Sequence, residues 1–231
     1  MNFIKKVIKE IFDSVGFKIE KKSSKNNLNL TKASKVLEYE YGHLESKKTK
    51  TSIGVNKEPV PWFTYPAIEY LSQLDLSDLI MLEWGAGNSS IFFSKKVKKL
   101  FSIEHNKEWY DLVKTNKPIN NELIYADEDY VKKAEEFQKR FDVILIDGIK
   151  REDCAKAALR LLSKNGFIIL DNCDRHPEIA DMFRETGFIE VDFHGFGPIN
   201  EYTWTTSLFL RRSVELKPLS FQPKIPIGGG Y

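Results

Sequence analysis

The chain has 231 residues, of which 42% are hydrophobic and 29% charged, so it is long enough for one full α/β domain with small additions. The formal net charge is only +2, and no stripe of lysine and arginine interleaves with aromatic residues, so we expect no nucleic-acid partner. Two cysteines form neither a disulfide framework nor a metal site of familiar spacing, which favours a reducing, cytoplasmic setting.

The N-terminus carries an amphipathic pattern. Apolar residues recur at helical spacing over residues 3–15, lysines and acids lie on the opposite face, and Gly16 is placed to end the helix. No stretch reaches the roughly 18 apolar residues of a membrane span. We therefore expect residues 1–16 either to contact an anionic membrane surface peripherally, at the inner face of the membrane, or to pack on the domain or a second subunit. Residues 1–60 are interpreted as this helix and a polar linker, with one short helix near 34–41.

From Leu79 onward, apolar strands alternate regularly with helices, which predicts a parallel sheet covered on both faces. The first five strands are predicted at 79–84, 99–104, 123–126, 141–147 and 166–171, and the helices at 89–97, 107–115, 129–140, 152–163 and 177–186. The last two strands, 188–193 and 203–210, are separated by a loop too short for a crossover helix. They should therefore form an antiparallel pair at one edge.

A glycine turn follows the first strand. Gly85 and Gly87 let the backbone turn sharply and approach a ligand, which the unpaired amides of the next helix would face. Glu83 places a carboxylate at the strand end, which suits a cationic amino group or a hydroxyl better than a phosphate. Ser90 stands where a dinucleotide fingerprint would have its third glycine, which weakens the pyrophosphate interpretation.

The run from Glu83 to Ser89 resembles the first motif of the class I S-adenosylmethionine (SAM)-dependent methyltransferases, (E/D)-x-G-x-G-x-(S/T). Glu104 ends the second strand about 20 residues later, near the separation that puts a carboxylate on a ribose diol. The resemblance implies that Glu104 binds the ribose hydroxyls of SAM and that Asp127 touches its adenine amino group. It also implies a Rossmann-like three-layer α/β sandwich whose seven-stranded, mostly parallel sheet has an antiparallel final strand. The expected cofactor-binding residues are Glu83, Gly85, Gly87, Asn88, Ser89, Glu104, His105 and Asp127.

Asp147 and the Asp171–Asn172 pair end the fourth and fifth predicted strands, where open α/β sheets bind ligands. This pattern resembles the metal-dependent catechol-type O-methyltransferases, which implies that Asp147, Asp171 and Asn172 bind Mg²⁺ and that the ion acidifies a substrate hydroxyl. The alternative is that Asp147 caps its strand or acts as a lone general base, while Asp171 and Asn172 shape the following turn. Asp147 is the expected catalytic residue.

The sequence therefore predicts a SAM-dependent methyltransferase that acts on an oxygen, less readily a nitrogen, of a small polar or glycan-like acceptor. Arg151, Arg175 and Lys150 are candidates for binding an acidic group of the acceptor, and His176 is a candidate base. One alternative is an NAD-dependent oxidoreductase, which Ser90 and the antiparallel final pair disfavour. The other is a membrane-associated, non-catalytic binding protein of the same fold.

The SAM-binding domain is expected to span residues 61–212. Trp62, Phe63 and Tyr65 at its start would either cover the cofactor or pack in the core. The Pro/Gly-rich tail, 213–231, cannot be regular helix and would either drape over the domain or hang free. The sequence leaves the acceptor and the oligomeric state undetermined.

Overall fold

A computed structural model describes Ser14 and residues 31–229. The helix expected over residues 1–16 lies outside the described residues except for Ser14, so its membrane or protein contacts stay a prediction. The strands are β1 (Ile80–Trp84), β2 (Lys99–Glu104), β3 (Asn121–Tyr125), β4 (Phe141–Ile146), β5 (Leu162–Asp171), β6 (Ile189–Gly195) and β7 (Trp204–Leu210). The α-helices are α1 (His43–Thr49), α2 (Tyr65–Ser72), α3 (Asn88–Ser94), α4 (Lys107–Thr115), α5 (Arg151–Leu161) and α6 (Pro177–Glu185).

The seven strands form one sheet in the order β3-β2-β1-β4-β5-β7-β6. Strand β1 pairs in parallel with both β2 and β4, whereas β7 pairs antiparallel with both β5 and β6. The predicted mostly parallel sheet with an antiparallel final strand is thus confirmed. The chain moves outward from β1 to β3 and then returns to β4, so the strand order reverses between β1 and β4. Ligands of open α/β sheets bind at the carboxyl ends of the strands at such a reversal.

Alternating side chains of the strands enter two separate hydrophobic cores, which gives the three layers expected for this sandwich. In β1, Leu82 and Trp84 enter the core covered by α5 and α6, while Met81 enters the opposite core, covered by α2 and α3. All three side chains are fully buried. The central strands are apolar on both faces because both faces are covered.

The polar helix expected at 129–140 is much shorter than its pattern suggests. Only Lys132–Phe137 is helical, as a 3₁₀ segment, and Gln138 ends it in the left-handed conformation with φ 51°. The Phe137 ring packs on Phe101, with centroids 4.6 Å apart, and also on Phe141. Tyr130 and Ala134 are also fully buried in the same core, so a few apolar side chains anchor this segment while most of the polar residues between them remain exposed.

The segment read as a polar linker packs against the sheet domain over part of its length. Helix α1 lies within it, and the hydroxyl of Ser46 donates to the carbonyl of Ile53 at 2.8 Å. His43 Nδ1 lies 3.0 Å from the carbonyl oxygen of Gly197, in the loop between β6 and β7. Polar side chains here satisfy backbone groups rather than face water, a role that composition does not reveal.

The C-terminal tail drapes over the end of α2. The Leu219 amide donates to the Gln73 carbonyl, and the Asp75 amide donates to the Lys217 carbonyl, each at 2.8 Å. Of the two placements considered for this tail, the described part adopts the packed one. Within the described part of the chain, no helix has both the length and the apolar character needed to cross a membrane.

Candidate functional site

A cavity of about 930 Å³ opens at the carboxyl ends of β1, β2, β4 and β5, beside the reversal of strand order. Its volume lies within the range of small-molecule and cofactor sites. The glycine turn after β1 and Glu104 line one half of the cavity, and Asp147, Asp171 and Asn172 line the other. Residues 85–104 and 147–172, which are distant in sequence, thus line the same cavity.

Gly85 is required by the geometry of the turn. Its φ of 97° lies in the left-handed region, and a Cβ atom there would come within 2.8 Å of the Gly148 amide nitrogen. Gly87 differs, because its backbone is extended and an added Cβ would meet only the Trp109 ring at 3.7 Å. Gly85 therefore permits the turn and its close packing on the end of β4, whereas Gly87 leaves open space beside the Trp109 indole.

Two buried carboxylates position the turn from opposite sides. Glu104 accepts hydrogen bonds from the amides of Ala86 at 3.0 Å and Asn106 at 2.8 Å. Glu83 is fully buried behind the turn and accepts from the hydroxyl of Ser90, whose oxygen accepts in turn from the Gly87 amide at 3.0 Å. Burial raises the pKa of Glu83 to about 7. Ser90, which weakens the dinucleotide interpretation, thus has a structural role in this turn.

The other residues expected to bind the cofactor fall into two groups. Asn88, Ser89 and His105 line the cavity. The Asn88 side chain also donates to the Ser52 carbonyl at 2.6 Å. Glu83, by contrast, does not line the cavity, and Asp127 is exposed beyond the end of β3, outside the cavity lining.

Trp109 is a cavity residue that sequence reasoning missed. Its indole Nε1 donates to the Ala86 carbonyl, and its ring lines the cavity with an exposed fraction of 44%. Asn106 caps α4 by accepting from the Trp109 amide at 2.9 Å, which fixes the indole over the glycine turn. The sequence feature that could have indicated this role is an aromatic residue in the first turn of the helix that follows β2.

At the other half of the cavity, β7 supplies donors to Asp171. Asp171 Oδ1 accepts from Trp204 Nε1 at 3.1 Å and from Thr206 Oγ1 at 2.6 Å. Burial raises the pKa of Asp171 to about 6 despite these donors. Burial and the nearby Asp171 carboxylate also raise the pKa of Asp147 well above its usual range, and Arg151 opposes this shift.

Arg151, at the start of α5, joins the ends of β4 and β5. Its Nη2 donates to Asp147 Oδ1 at 3.1 Å, its Nε donates to the Gly148 carbonyl at 3.0 Å, and its Nη1 donates to the Asp171 carbonyl. Most of the N–H groups of the guanidinium therefore bind the protein itself, although the side chain also lines the cavity. Lys150, another candidate for binding an acidic group, is exposed and does not line the cavity, and neither does His176.

The mouth of the cavity is aromatic and cationic. Trp62 and Tyr202, with exposed fractions of 46% and 51%, both line it. The Arg175 guanidinium lies 5.7 Å from the centre of the Tyr202 ring. Of the aromatic residues at the start of the domain, only Trp62 lines the cavity, because Phe63 and Tyr65 are buried.

Comparison with known proteins relates this architecture to methyltransferases. No protein-family profile matches the chain. A solved precorrin-6y C5,15-methyltransferase from Geobacter metallireducens superposes with a TM-score of 0.54 and 18% identity, over 71% of this chain and 96% of the other. The fibrillarin pre-rRNA processing protein of Methanococcus jannaschii superposes with a TM-score of 0.50 and 15% identity, over 64% and 75% of the two chains.

One curated relative shares sequence with part of the chain. A tRNA/tmRNA (uracil-C(5))-methyltransferase from Sulfurimonas denitrificans is 30% identical over 84 residues, which are 36% of this chain and 21% of the relative. The match thus spans about a fifth of that protein's length. The expectation of no nucleic-acid partner finds no support here, because the names of this relative and of fibrillarin refer to RNA. Magnesium finds no support in the comparisons either.

The sheet order, the antiparallel β7 and the superposition on solved methyltransferases agree with one another. The chain has the Rossmann-like fold of the class I SAM-dependent methyltransferases.

Proposed function

We propose that this protein transfers the methyl group of SAM to an oxygen, less readily a nitrogen, of a small polar or glycan-like acceptor. The observation that carries the proposal is the shared cavity, which the glycine turn, Glu104 and Asp147 all line. A nucleoside cofactor beside the turn would have its reactive group directed along the cavity toward Asp147. A protein that only binds the cofactor would need the glycine turn and Glu104 but not Asp147.

The cofactor half has the groups that an adenosyl ligand requires. Gly85, Gly87, Asn88 and Ser89 bring backbone close to the cavity, and Glu104 offers a buried carboxylate to the ribose hydroxyls. His105, which lines the cavity with its Nδ1 3.1 Å from Glu104 Oε1, is proposed to contact the cofactor beside that carboxylate.

In the acceptor half, Asp147 is proposed as the general base. Bound SAM supplies an electrophilic methyl group on its sulfonium. The acceptor oxygen forms a bond to the methyl carbon as the carbon–sulfur bond breaks, S-adenosylhomocysteine (SAH) leaves, and Asp147 takes the hydroxyl proton. A base with a raised pKa is suited to this proton transfer near neutral pH, since its basicity is higher than that of an ordinary aspartate.

The rim of the cavity supports a polar acceptor with a flat face. Trp62 and Tyr202 expose ring surface on which a sugar or another planar group can stack. Arg175, beside Tyr202, adds a positive charge that favours acceptors with a carboxylate or phosphate. The exposed tryptophan and tyrosine have no core to fill, so ligand contact accounts for them better than packing does.

Isothermal titration calorimetry with SAH and with NAD⁺ tests the cofactor. We expect SAH to bind and NAD⁺ not to bind, and the reverse result would favour an oxidoreductase. Transfer of a radiolabelled methyl group is then measured with oligosaccharides, hydroxy acids, amino sugars and tRNA as acceptors. Labelling of tRNA alone would reject a small acceptor, and failure to bind SAH would reject the proposal as a whole.

A further inference from the structure

Arg151 has an unusual number of protein contacts for a cavity residue. Besides the bonds to Asp147 Oδ1, Gly148 and Asp171, its Nη2 lies 3.2 Å from the Asp147 carbonyl oxygen. Only 14% of its side chain is exposed. One guanidinium thus joins the carboxyl ends of two neighbouring parallel strands, β4 and β5, and contacts a cavity carboxylate directly.

These contacts affect the oxygen atoms that a metal ion would need. Asp147 Oδ1 is paired with Arg151, and Asp171 Oδ1 accepts from both Trp204 and Thr206. One oxygen of each carboxylate is therefore already occupied. A Mg²⁺ ion bound to Asp147 Oδ1 at about 2.1 Å would lie within about 5 Å of the Arg151 Nη2 atom, where the two cations repel each other.

The positive charge that a divalent ion would supply is already present in the protein. Two carboxylates, Asp147 and Asp171, line the cavity, and Arg151 forms an ion pair with the first and donates to the backbone carbonyl of the second. A planar guanidinium is suited to this position because its five donors fit several oxygen atoms at once, which a lysine ammonium cannot do as well.

We propose that Arg151 is the resident cation of this site and that Asp147, Asp171 and Asn172 do not bind a divalent metal ion. Arg151 is a positioning residue: it neutralises the carboxylate pair and orients the Asp147 side chain toward the acceptor. The inference deepens the proposed function and rests on it for the role of Asp147. The exclusion of metal rests on the contacts of Arg151 with Asp147 and on the hydrogen bonds that Trp204 and Thr206 donate to Asp171.

Electron paramagnetic resonance of Mn²⁺, titrated into the full chain after treatment with EDTA, tests this inference without need of turnover. We expect the wild-type protein to bind no Mn²⁺ at Asp147, so Asp147→Asn should not reduce whatever Mn²⁺ binding is observed. Binding that survives Asp147→Asn lies elsewhere and agrees with the inference. Binding that Asp147→Asn abolishes would overturn it.

Two substitutions of Arg151 separate its charge from its shape. Arg151→Met removes the charge and frees Asp147 Oδ1, so Mn²⁺ should bind at least about tenfold more tightly than to the wild type. Arg151→Lys keeps a positive charge, so it should exclude Mn²⁺ as the wild type does. Equal Mn²⁺ binding by the folded Met and Lys variants would contradict the role of the charge.

The wild-type protein alone also decides the point if the Met variant does not fold. SAH binding and methyl transfer should be unchanged by EDTA and by added Mg²⁺. Loss of transfer in EDTA with recovery in Mg²⁺ would overturn the metal-free site while leaving the methyltransferase proposal intact. Failure to bind SAH with no Mn²⁺ site would reject the proposed function and leave the metal inference standing.

Discussion

Trp204 donates its indole N–H to Asp171 Oδ1 over 3.1 Å, which joins the first residue of β7 to the last residue of β5. The antiparallel strand thus does more than widen the sheet, because it supplies a donor to a buried carboxylate at the cavity. Thr206 adds a second donor from the same strand. The strand that distinguishes this fold therefore also shapes the acidic half of the site.

Replacing Trp204 by Phe should leave Asp171 without one of its buried donors. We expect the free energy of unfolding to fall by about 1.5 to 3 kcal/mol, the usual contribution of a hydrogen bond to a charged group, because Thr206 still donates to the same oxygen. Urea denaturation measures this change. Tyr202→Phe is the control, since the Tyr202 hydroxyl lies on the exposed rim, 3.4 Å from Arg175, and its loss should change stability by less than about 0.5 kcal/mol. Equal effects of the two substitutions would argue against the buried hydrogen bond.

Gly85→Ala should destabilise the protein more than Gly187→Ala does. Both glycines have positive φ, 97° and 87°, so each substitution carries a similar conformational cost of about 1 to 2 kcal/mol. Only the alanine at 85 would clash with backbone, because nothing lies within 4 Å of a Cβ at 187. We expect Gly85→Ala alone to abolish SAH binding, as measured by calorimetry on the folded fraction. If Gly85→Ala binds SAH with wild-type affinity, the glycine turn is not part of the cofactor site.

Glu104→Gln should weaken SAH binding by at least about tenfold, or 1.4 kcal/mol. Both carboxylate oxygens accept from backbone amides, and a glutamine would present its own NH₂ group to one of those donors. Asp127→Asn makes the same chemical change at the exposed position outside the cavity. We expect the Asp127→Asn variant to bind SAH within about twofold of the wild-type affinity. A tenfold loss would instead support the contact between Asp127 and the adenine that the sequence predicts.

The stability of the protein should fall as pH rises from about 4.5 to 7, in part because of Glu83. Its folded pKa, about 7, lies above the ordinary value of 4.5, so over this interval the folded chain retains a proton that the unfolded chain releases. The contribution of Glu83 is complete below pH 4.5 and is lost above 7. It amounts to at most about 3.4 kcal/mol, which is about 2.5 pKa units at about 1.36 kcal/mol each.

Glu83→Gln should therefore flatten this part of the pH profile, measured by urea denaturation at intervals between pH 4.5 and 8. The slope should not vanish, because Asp171 and Asp147 also have raised pKa values and contribute with the same sign. A variant as steeply pH-dependent as the wild type would show that Glu83 is ionised throughout.

Asp147→Asn should separate binding from chemistry. The amide is nearly isosteric with the carboxylate but cannot take a proton, so SAH affinity should stay close to wild type while kcat falls by about 10²-fold or more. In the wild type, kcat/KM should rise with pH over a range above the usual aspartate pKa, because burial and Asp171 raise the pKa of Asp147. An unchanged kcat in Asp147→Asn would contradict the assignment of Asp147 as the general base.

Much of the fold could be predicted from the sequence because it depends on local pattern. The apolar runs that become β1, β2 and β4 and the short connection between β6 and β7 specify a covered parallel sheet with an antiparallel pair. The exposed position of Asp127 could not be predicted, because a strand end in sequence does not specify which side chains turn toward a cavity. The role of Ser90 was equally hidden, since its partner Glu83 is brought near by the turn itself.

The sequence by itself determined the order of strands and helices, the glycine turn, and the set of acids at the strand ends, since these follow from periodicity and backbone freedom. Only the tertiary structure decided how those acids are used. Arg151 reaches the Asp171 carbonyl because β4 and β5 are neighbours in the sheet, and Trp204 reaches Asp171 because β7 pairs antiparallel with β5. Hydrogen bonds and charge pairs between distant segments depend on three-dimensional distance, which a linear pattern does not contain.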